Sequence, residues 1–491
     1  MRMQSVWQAA AAATRYPPLD RDISVDVAIV GGGITGLLCA DRLLAQGATV
    51  AVIEAFSVGT GSTGNSTGNL YALVGERHGR LDDAHAPAVL QARSAGVALI
   101  EQLTHDYGIE CGFVRCPWTV YGESAGDGDA IARASALARL GGLTPQRSTP
   151  SLPLPVHEAV TVDGQAQFNP LLFTQGLARH VSEAGGLVFE TTRMQALDAQ
   201  RRVVTTPSAA IHASCVVLAT HTPKGRLRLH AEMGVFREYG VAAAVDRPAL
   251  PAGIFWNAGT PNRSIRAYRF DGRDHVVVVG ENHRTGDRED TAACVAELEV
   301  FLRRHFGVRS VDYRWSAQNY RPADGLPLIG PSALGDNILV ATGYAADGLT
   351  YGAVAAVMIA DRLGGRAHPL ADALDPRRLP LGSDLLDEVA NTIKQFARDI
   401  PGVGTEDVAQ IAPCGGAIVD QGGEKIAVHR DADGVLHAVS AVCTHMQCIV
   451  RWNGAERSWD CPCHGSRFAA DGRVIEGPAL DDLPERPAPA E

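Results

Sequence analysis

DVAIVGGGITGLLCADRLLAQGATVAVIE, residues 26–54, decides the fold. Val27, Ala28, Ile29 and Val30 form an apolar run that reads as a buried strand. Gly31, Gly33 and Gly36 follow in G-x-G-x-x-G spacing, and residues 34–45 then carry Leu37, Leu38, Leu43 and Leu44 at helical intervals. Gly47 ends that helix, and a second strand over 50–53 closes on Glu54. Each part has a physical task. Gly31 permits the tight turn, Gly33 lets a pyrophosphate reach the backbone, and Gly36 lets helix and strand pack closely. The helix N-terminus offers free N–H groups and partial positive charge to the phosphates, and Glu54 accepts from a ribose. In a chain with 52 glycines the bare spacing also fits a turn that binds nothing. The flanking strand and helix and the acid in register favour dinucleotide binding.

Outward from this stretch, Gly59 to Asn69 read GTGSTGNSTGN, small enough to lie against a cofactor or to serve as a plain turn. Asn169-Pro170 is a helix start, a capping side chain followed by proline. The strand IHASCVVLA ends on Thr220, His221, Thr222 and Pro223, where an open α/β sheet binds ligand. Residues 226–320 hold strand-like runs, clearest at Val276 to Val279, and read as a separate sheet facing the substrate. From Tyr320 the chain reads YRPADGLPLIG, then the strand ILVAT, then Gly343 and a helix start at Asp347, Gly348, Leu349 and Thr350. Cys111 and Cys116, without a second pair nearby, read as ordinary buried thiols.

Bulk properties set the frame. A chain of 491 residues holds two or three domains. Its net charge of −11 argues against nucleic-acid binding. No apolar run approaches the roughly 18–20 residues of a membrane span, so none is expected, and the cytoplasm is the expected setting. The alanine-rich start, Ala9 to Ala13, reads as a surface lead-in. Pro376, Pro380 and Pro401 bracket an expected linker helix with Leu385, Val389, Ile393 and Phe396 on one face. The last 91 residues change to short alternating strands and carry 7 Lys/Arg against 14 Asp/Glu.

The fingerprint, the small-residue loop, VVLATHTP and DGLPLIG…GYAADGLT together resemble the D-amino-acid-oxidase-type FAD-dependent oxidoreductases, over about residues 20–370. ATHTP, GENHRTG and RWSAQNYRPADGLPLIG resemble the branch of glycine and gamma-glutamylputrescine oxidases. The resemblance implies an α/β FAD-binding (glutathione-reductase-like Rossmann) domain at about 20–75, 160–225 and 320–370. It also implies an α+β substrate domain at about 76–160 and 226–320. FAD is then expected against Gly31, Gly33, Ile34, Thr35, Gly36, Glu54 and Ala55. Further contacts are expected at Gly61, Thr63, Gly64, Ser66, Thr67, Gly68 and Thr220, and at Gly343, Asp347, Gly348, Leu349 and Thr350. It further implies oxidation of a C–N bond by hydride transfer to flavin. Arg321 is a candidate clamp for a substrate carboxylate, or a structural ion pair, and His221 and His283 are candidates to face the flavin.

Cys443-Thr444-His445 and Cys461-Pro462-Cys463-His464 form C-x-H, fifteen residues, then C-x-x-H, followed by Gly465-Ser466. This resembles an all-β Rieske [2Fe–2S] domain, here 405–491, joined by a linker at 371–404. Cys443 and Cys461 would hold one iron, His445 and His464 the other, which raises the potential; a Cys2His2 zinc site is the alternative. By the same resemblance Cys448 and Cys463 stand where respiratory-type Rieske proteins have a bridging disulfide, with two free thiols as the alternative. The resemblance also implies that Ser466 would donate to a cluster sulfide. Phe468 replaces a tyrosine, from which a lower potential is expected.

The expected function is therefore FAD-dependent oxidation of an amine or amino acid, with electrons passing through the [2Fe–2S] cluster to an acceptor protein or quinone. The alternatives are an NAD(P)H-dependent reductase feeding its own Rieske domain, a Rieske oxygenase, and a redox-sensing or electron-transfer protein. The first lacks a second G-x-G-x-x-G between strand and helix.

Overall fold

The computed structural model describes residues 3–73, 83–225, 228–246, 250–379, 390 and 408–489. The expected linker helix, with Leu385, Val389, Ile393 and Phe396, lies outside the described residues.

The strand Ile23–Val30 sits mid-sheet, parallel to Val50–Ile53 on one side and Ala210–Leu218 on the other. Gly335–Thr342 continues the sheet beyond Ala210–Leu218, and Leu187–Phe189 beyond Val50–Ile53. Such strands are buried on both faces, which is why they read as unbroken apolar runs. The helix Ile34–Leu44 packs on this sheet and against Gly348–Leu363. A Cβ on Gly36 would lie 2.0 Å from the Gly31 carbonyl oxygen, so only glycine lets this helix approach its strand. The helix Pro170–Glu183 is capped by Asn169, whose Oδ1 accepts from the N–H groups of Leu171 and Leu172.

A second, nine-stranded sheet covers the cofactor side. Its long members are Val114–Gly122, Glu158–Gln167, Met233–Val245, Arg273–Arg284 and Tyr313–Pro322. Glu158–Gln167 pairs with Val114–Gly122, so this sheet takes residues assigned from sequence to the 160–225 flavin segment. The break falls at the capped helix start, Asn169. The third unit has two small antiparallel sheets, Gly416–Gln421 with Glu424–Arg430 and Leu436–Ser440, and Arg451–Asn453 with Ser458–Asp460, Arg467–Ala469 and Val474–Glu476. Around Trp459 and Phe468 it builds its own core.

The alanines at 9–13 are half-buried to exposed, as a surface lead-in would be, but the residues just before them are anchored in the core. Ser5 caps a short helix, Val6–Ala10, and Val6 and Trp7 are fully buried. Trp7 Nε1 donates to Ser66 O at 2.7 Å, which braces the small-residue loop. One turn is too short to show a helical period. Among the described residues, no helix is long and apolar enough to cross a membrane.

Candidate functional site: a cofactor cavity and a cysteine–histidine cluster

A cavity of about 580 Å³ opens at the carboxyl ends of the parallel strands. Of the residues expected from sequence, Gly31, Gly33, Ile34, Thr35, Glu54, Ala55, Gly61, Thr63, Ser66, Thr67, Thr220, Gly348 and Leu349 line it. Glu54 is held in place by the N–H groups of Gly32, at 2.9 Å, and Phe56, at 3.0 Å. Burial pushes its carboxyl up, and those two bonds oppose the shift. The Ile34 N–H donates to Thr63 Oγ1 at 3.1 Å, tying the small-residue loop to the helix N-terminus.

The other expected residues stand behind the wall. Gly36 packs on Gly31, Gly64 on the Gly59 carbonyl, Gly68 on the Phe168 carbonyl and Gly343 on Pro322. Asp347 is committed to a buried ion pair with Arg93, Oδ2 to Nη2 at 2.7 Å, and accepts from Tyr71. Thr350 Oγ1 donates to Tyr71 O. The helix start at 347–350 is therefore held by side chains, and only Gly348 and Leu349 reach the cavity.

The catalytic candidates separate. His221 lines the cavity, but its Nδ1 bonds Glu476 Oε1 at 2.6 Å, with Ser62 Oγ 3.0 Å away. His283 does not line it; its Nδ1 bonds the Glu281 carbonyl, its ring stacks on Tyr239, and burial pushes its pKa down. Arg321 does not line it either. Its Nε donates to Asn319 Oδ1 at 2.9 Å, its guanidinium lies 3.9 Å over the Phe236 ring, and Glu238 is 3.7 Å away. Glu238 itself does line the cavity.

Several residues lining the cavity carry no sequence signal: Gln8, Arg193, Lys224, Arg467 and Glu476. The last two belong to the C-terminal unit, which thus closes part of the wall. Burial pushes the Lys224 ammonium down to about 8, opposed by Glu476 and Glu54.

In that unit the loops 443–448 and 461–466 face each other. Cys448 and Cys463 form a disulfide across them, and both are buried. The sulfurs of Cys448, Cys461 and Cys463 lie within 4.8 Å of one another, but two are bonded together, so that trio is no ligand set. Cys443 and Cys461 are the free pair. Their mutual hydrogen bond pushes Cys443 down and Cys461 up, which puts the two thiols close together; a metal binding both would displace their protons. The rings of His445 and His464 are 5.0 Å apart. Burial, with the neighbouring His445, holds His464 neutral, down at about 4, and its Nδ1 is buried with no hydrogen-bond partner. Neutral imidazole with a bare ring nitrogen is the form that binds metal. This donor set fits a cluster with two thiolate and two imidazole ligands. Ser466 Oγ accepts from the Ala479 N–H and bonds Cys443.

Residues 26–362 match the family of FAD dependent oxidoreductases (DAO), and 406–487 match the Rieske [2Fe-2S] domain. The chain belongs to the DAO family of FAD-dependent oxidoreductases. The chain is 31% identical, over 98% of its length and 97% of the relative's, to the Bacillus subtilis (strain 168) protein YhfW, described as a Rieske 2Fe-2S iron-sulfur protein. The cytochrome b6-f complex iron-sulfur subunit of Synechococcus sp. (strain JA-3-3Ab) is 56% identical over 47 residues, 10% of this chain and 27% of the subunit. Glycine oxidase from Geobacillus kaustophilus shares the fold, with a TM-score of 0.62 at 22% identity, over 74% of this chain and all of the oxidase. This DAO-family member is thus an FAD-dependent oxidoreductase with a Rieske domain that binds a [2Fe–2S] cluster.

Proposed function

We propose that this enzyme oxidises a C–N bond of a small amine or amino acid and passes the electrons from flavin to the cluster and on to an external acceptor protein or quinone. FAD supplies the hydride acceptor. The backbone at Gly31, Gly33 and Ile34 would hold its pyrophosphate and Glu54 its ribose, with the 61–67 loop, Thr220, Gly348 and Leu349 enclosing the rest. Cys443, Cys461, His445 and His464 would hold the cluster.

The observation that carries the reading is the shared loop between the two sites. Thr220, His221 and Lys224 line the cofactor cavity, and the Gly225 carbonyl accepts from His445 Nε2 at 3.2 Å. A tethered acceptor so close to the donor site has a high effective concentration. Acid–base help is not required if the amine arrives neutral, which suits a cavity where His221 is held by Glu476. Arg321, occupied by Phe236, Asn319 and Glu238, does not offer its guanidinium as a ready carboxylate clamp. Glu238 lines the cavity, with Arg321 3.7 Å away opposing its charge and Asn282 Nδ2 donating to it. The cytoplasm remains the expected setting, with the disulfide buried from reductants.

The test is anaerobic mixing of the pure enzyme with glycine, sarcosine, L-proline and putrescine in turn. Bleaching of flavin absorbance followed by the EPR signal of a reduced Rieske cluster is expected with one of them. Flavin bleaching with the cluster left oxidised would refute the electron path.

A further inference from the structure

We infer that His230 is the positioning residue that fixes the flavin-side loop against the histidine edge of the cluster, and that this edge takes electrons from inside the molecule. The inference rests on the reading that flavin is the cluster's donor.

His230, His445 and His464 are each about 4% exposed. The His230 ring stands edge-on to both expected ligands, with centroids 5.1 Å from His445 and 6.3 Å from His464. Its Nε2 bonds the Pro223 carbonyl at 2.8 Å. Two residues further on, the Gly225 carbonyl receives His445 Nε2. The stretch 220–225 therefore has its first residues in the cofactor cavity and its last on a ligand imidazole, and buried His230 bonds it at Pro223. A carbonyl that accepts from a ligand histidine orients the ring and raises its basicity. His230 holds the backbone two residues before that carbonyl, and the Gly225 N–H donates to the Pro478 carbonyl of the Rieske domain at 3.1 Å.

The docking itself is built. Gly465 follows the ligand His464 at φ +76°, and a Cβ there would lie 2.6 Å from Val235 and 2.8 Å from Gln318. With no side chain at 465, Gln318 Nε2 donates to the Gly465 carbonyl at 2.8 Å, and Gln318 also lines the cavity. Arg237, fully buried in the second sheet, pairs with Glu456 and has Asp460 3.8 Å away, both from the Rieske domain. A buried charge on each side makes partial separation costly.

The electron balance is simple. Reduced flavin gives up two electrons one at a time and releases its proton to water. Each electron reduces one ferric iron of the cluster to ferrous, and a one-electron acceptor reoxidises it.

A substrate-free test uses anaerobic blue illumination of the full-length holoenzyme with EDTA, which reduces the bound flavin as EDTA is oxidised, with no external acceptor added. Wild type should show flavin reduction, then loss of oxidised-cluster absorbance. His230→Leu should keep FAD and cluster contents, slow the second phase about tenfold or more, each decade being about 1.36 kcal/mol of barrier, and shift the EPR g-values of the reduced cluster. His230→Gln, which keeps an N–H for Pro223, should restore both. Equal transfer and an unchanged EPR spectrum in His230→Leu would overturn the inference. A second measurement needs no variant. In wild-type holoenzyme, diethyl pyrocarbonate should modify His105, whose side chain is 89% exposed, and spare His445 and His464. Modification of His445 as fast as His105 would also overturn it. If wild type shows no second phase, the electron path of the proposed function fails, and the labelling result still reports separately on the inward edge.

Discussion

The two cofactor sites of this molecule are built on opposite plans. The flavin cavity is distributed: its walls come from the N-terminal turn, the 31–35 turn, the 54–67 loop, the 219–224 loop, the second sheet and the 348–349 helix start. Much of what it offers is backbone and small side chains. The cluster site is local: two loops within 24 residues bring every expected ligand, clamped by one disulfide. A distributed site fails when the packing that assembles it fails. A local site fails when a ligand is lost, and the surroundings survive.

That contrast can be broken most sharply by two single substitutions. Gly36→Ala puts a methyl group 2.0 Å from a backbone carbonyl oxygen, with no flexible side chain to yield. The expected result is loss of bound FAD and of soluble protein. Cys461→Ser removes one expected thiolate, and the expected result is no Rieske EPR signal with FAD content near that of wild type. Equal FAD loss in both variants would show that the two sites assemble as one.

The next effect is at the seam. Arg237→Met leaves Glu456 and Asp460 facing a buried apolar group, and breaking a buried pair from one side costs about 3–5 kcal/mol. Urea unfolding should show this, together with earlier exposure of the Rieske domain to protease. Glu456→Gln in the same background should add much less than it does alone.

A smaller effect belongs to the local site by itself. Cys448→Ser opens a 15-residue loop, which by chain entropy is worth about 3 kcal/mol. Unfolding of the Rieske domain should move to lower urea, and the flavin visible spectrum should stay unchanged.

The same contrast decides what could be read from sequence. The expected ligands could be proposed from sequence because two loops close in sequence carry them, and the structure sets those loops face to face. The flavin domain was legible where the fingerprint nucleates it, since period, glycine spacing and acid coincide over 29 residues. Asp347 and Thr350 sit in the right segment but turn to Arg93 and Tyr71, because a buried arginine needs partners. Trp7, Lys224 and His230 left no trace. They lie in a single turn or an irregular loop, where no periodicity exists to betray which way a side chain faces. The seam was equally invisible, since its charges are isolated residues from strands that pair elsewhere.

The smallest expected effect tests that seam by pH. Burial pushes the Glu476 carboxyl up, but the His221 bond and the charges of His221, Arg467 and Arg237 outweigh it and hold the group at about 2, against an ordinary 4.5. Lys224 faces it from the same loop as His221. A carboxyl depressed in the folded state binds fewer protons there than in the unfolded chain. The stability it contributes is therefore complete above about pH 4.5 and is lost as pH falls towards 2. The pair keeps some contact with solvent, so about 2 kcal/mol is expected at neutral pH. Other buried acids, Asp460 among them, also make the wild type acid-labile, so the informative quantity is the difference from Glu476→Gln. Urea midpoints measured from pH 7 down to the lowest pH at which both fold should show wild type more stable by a constant amount to about pH 5, then convergence. A difference that stays constant below pH 4 would mean that Glu476 contributes shape to the seam and its charge contributes nothing.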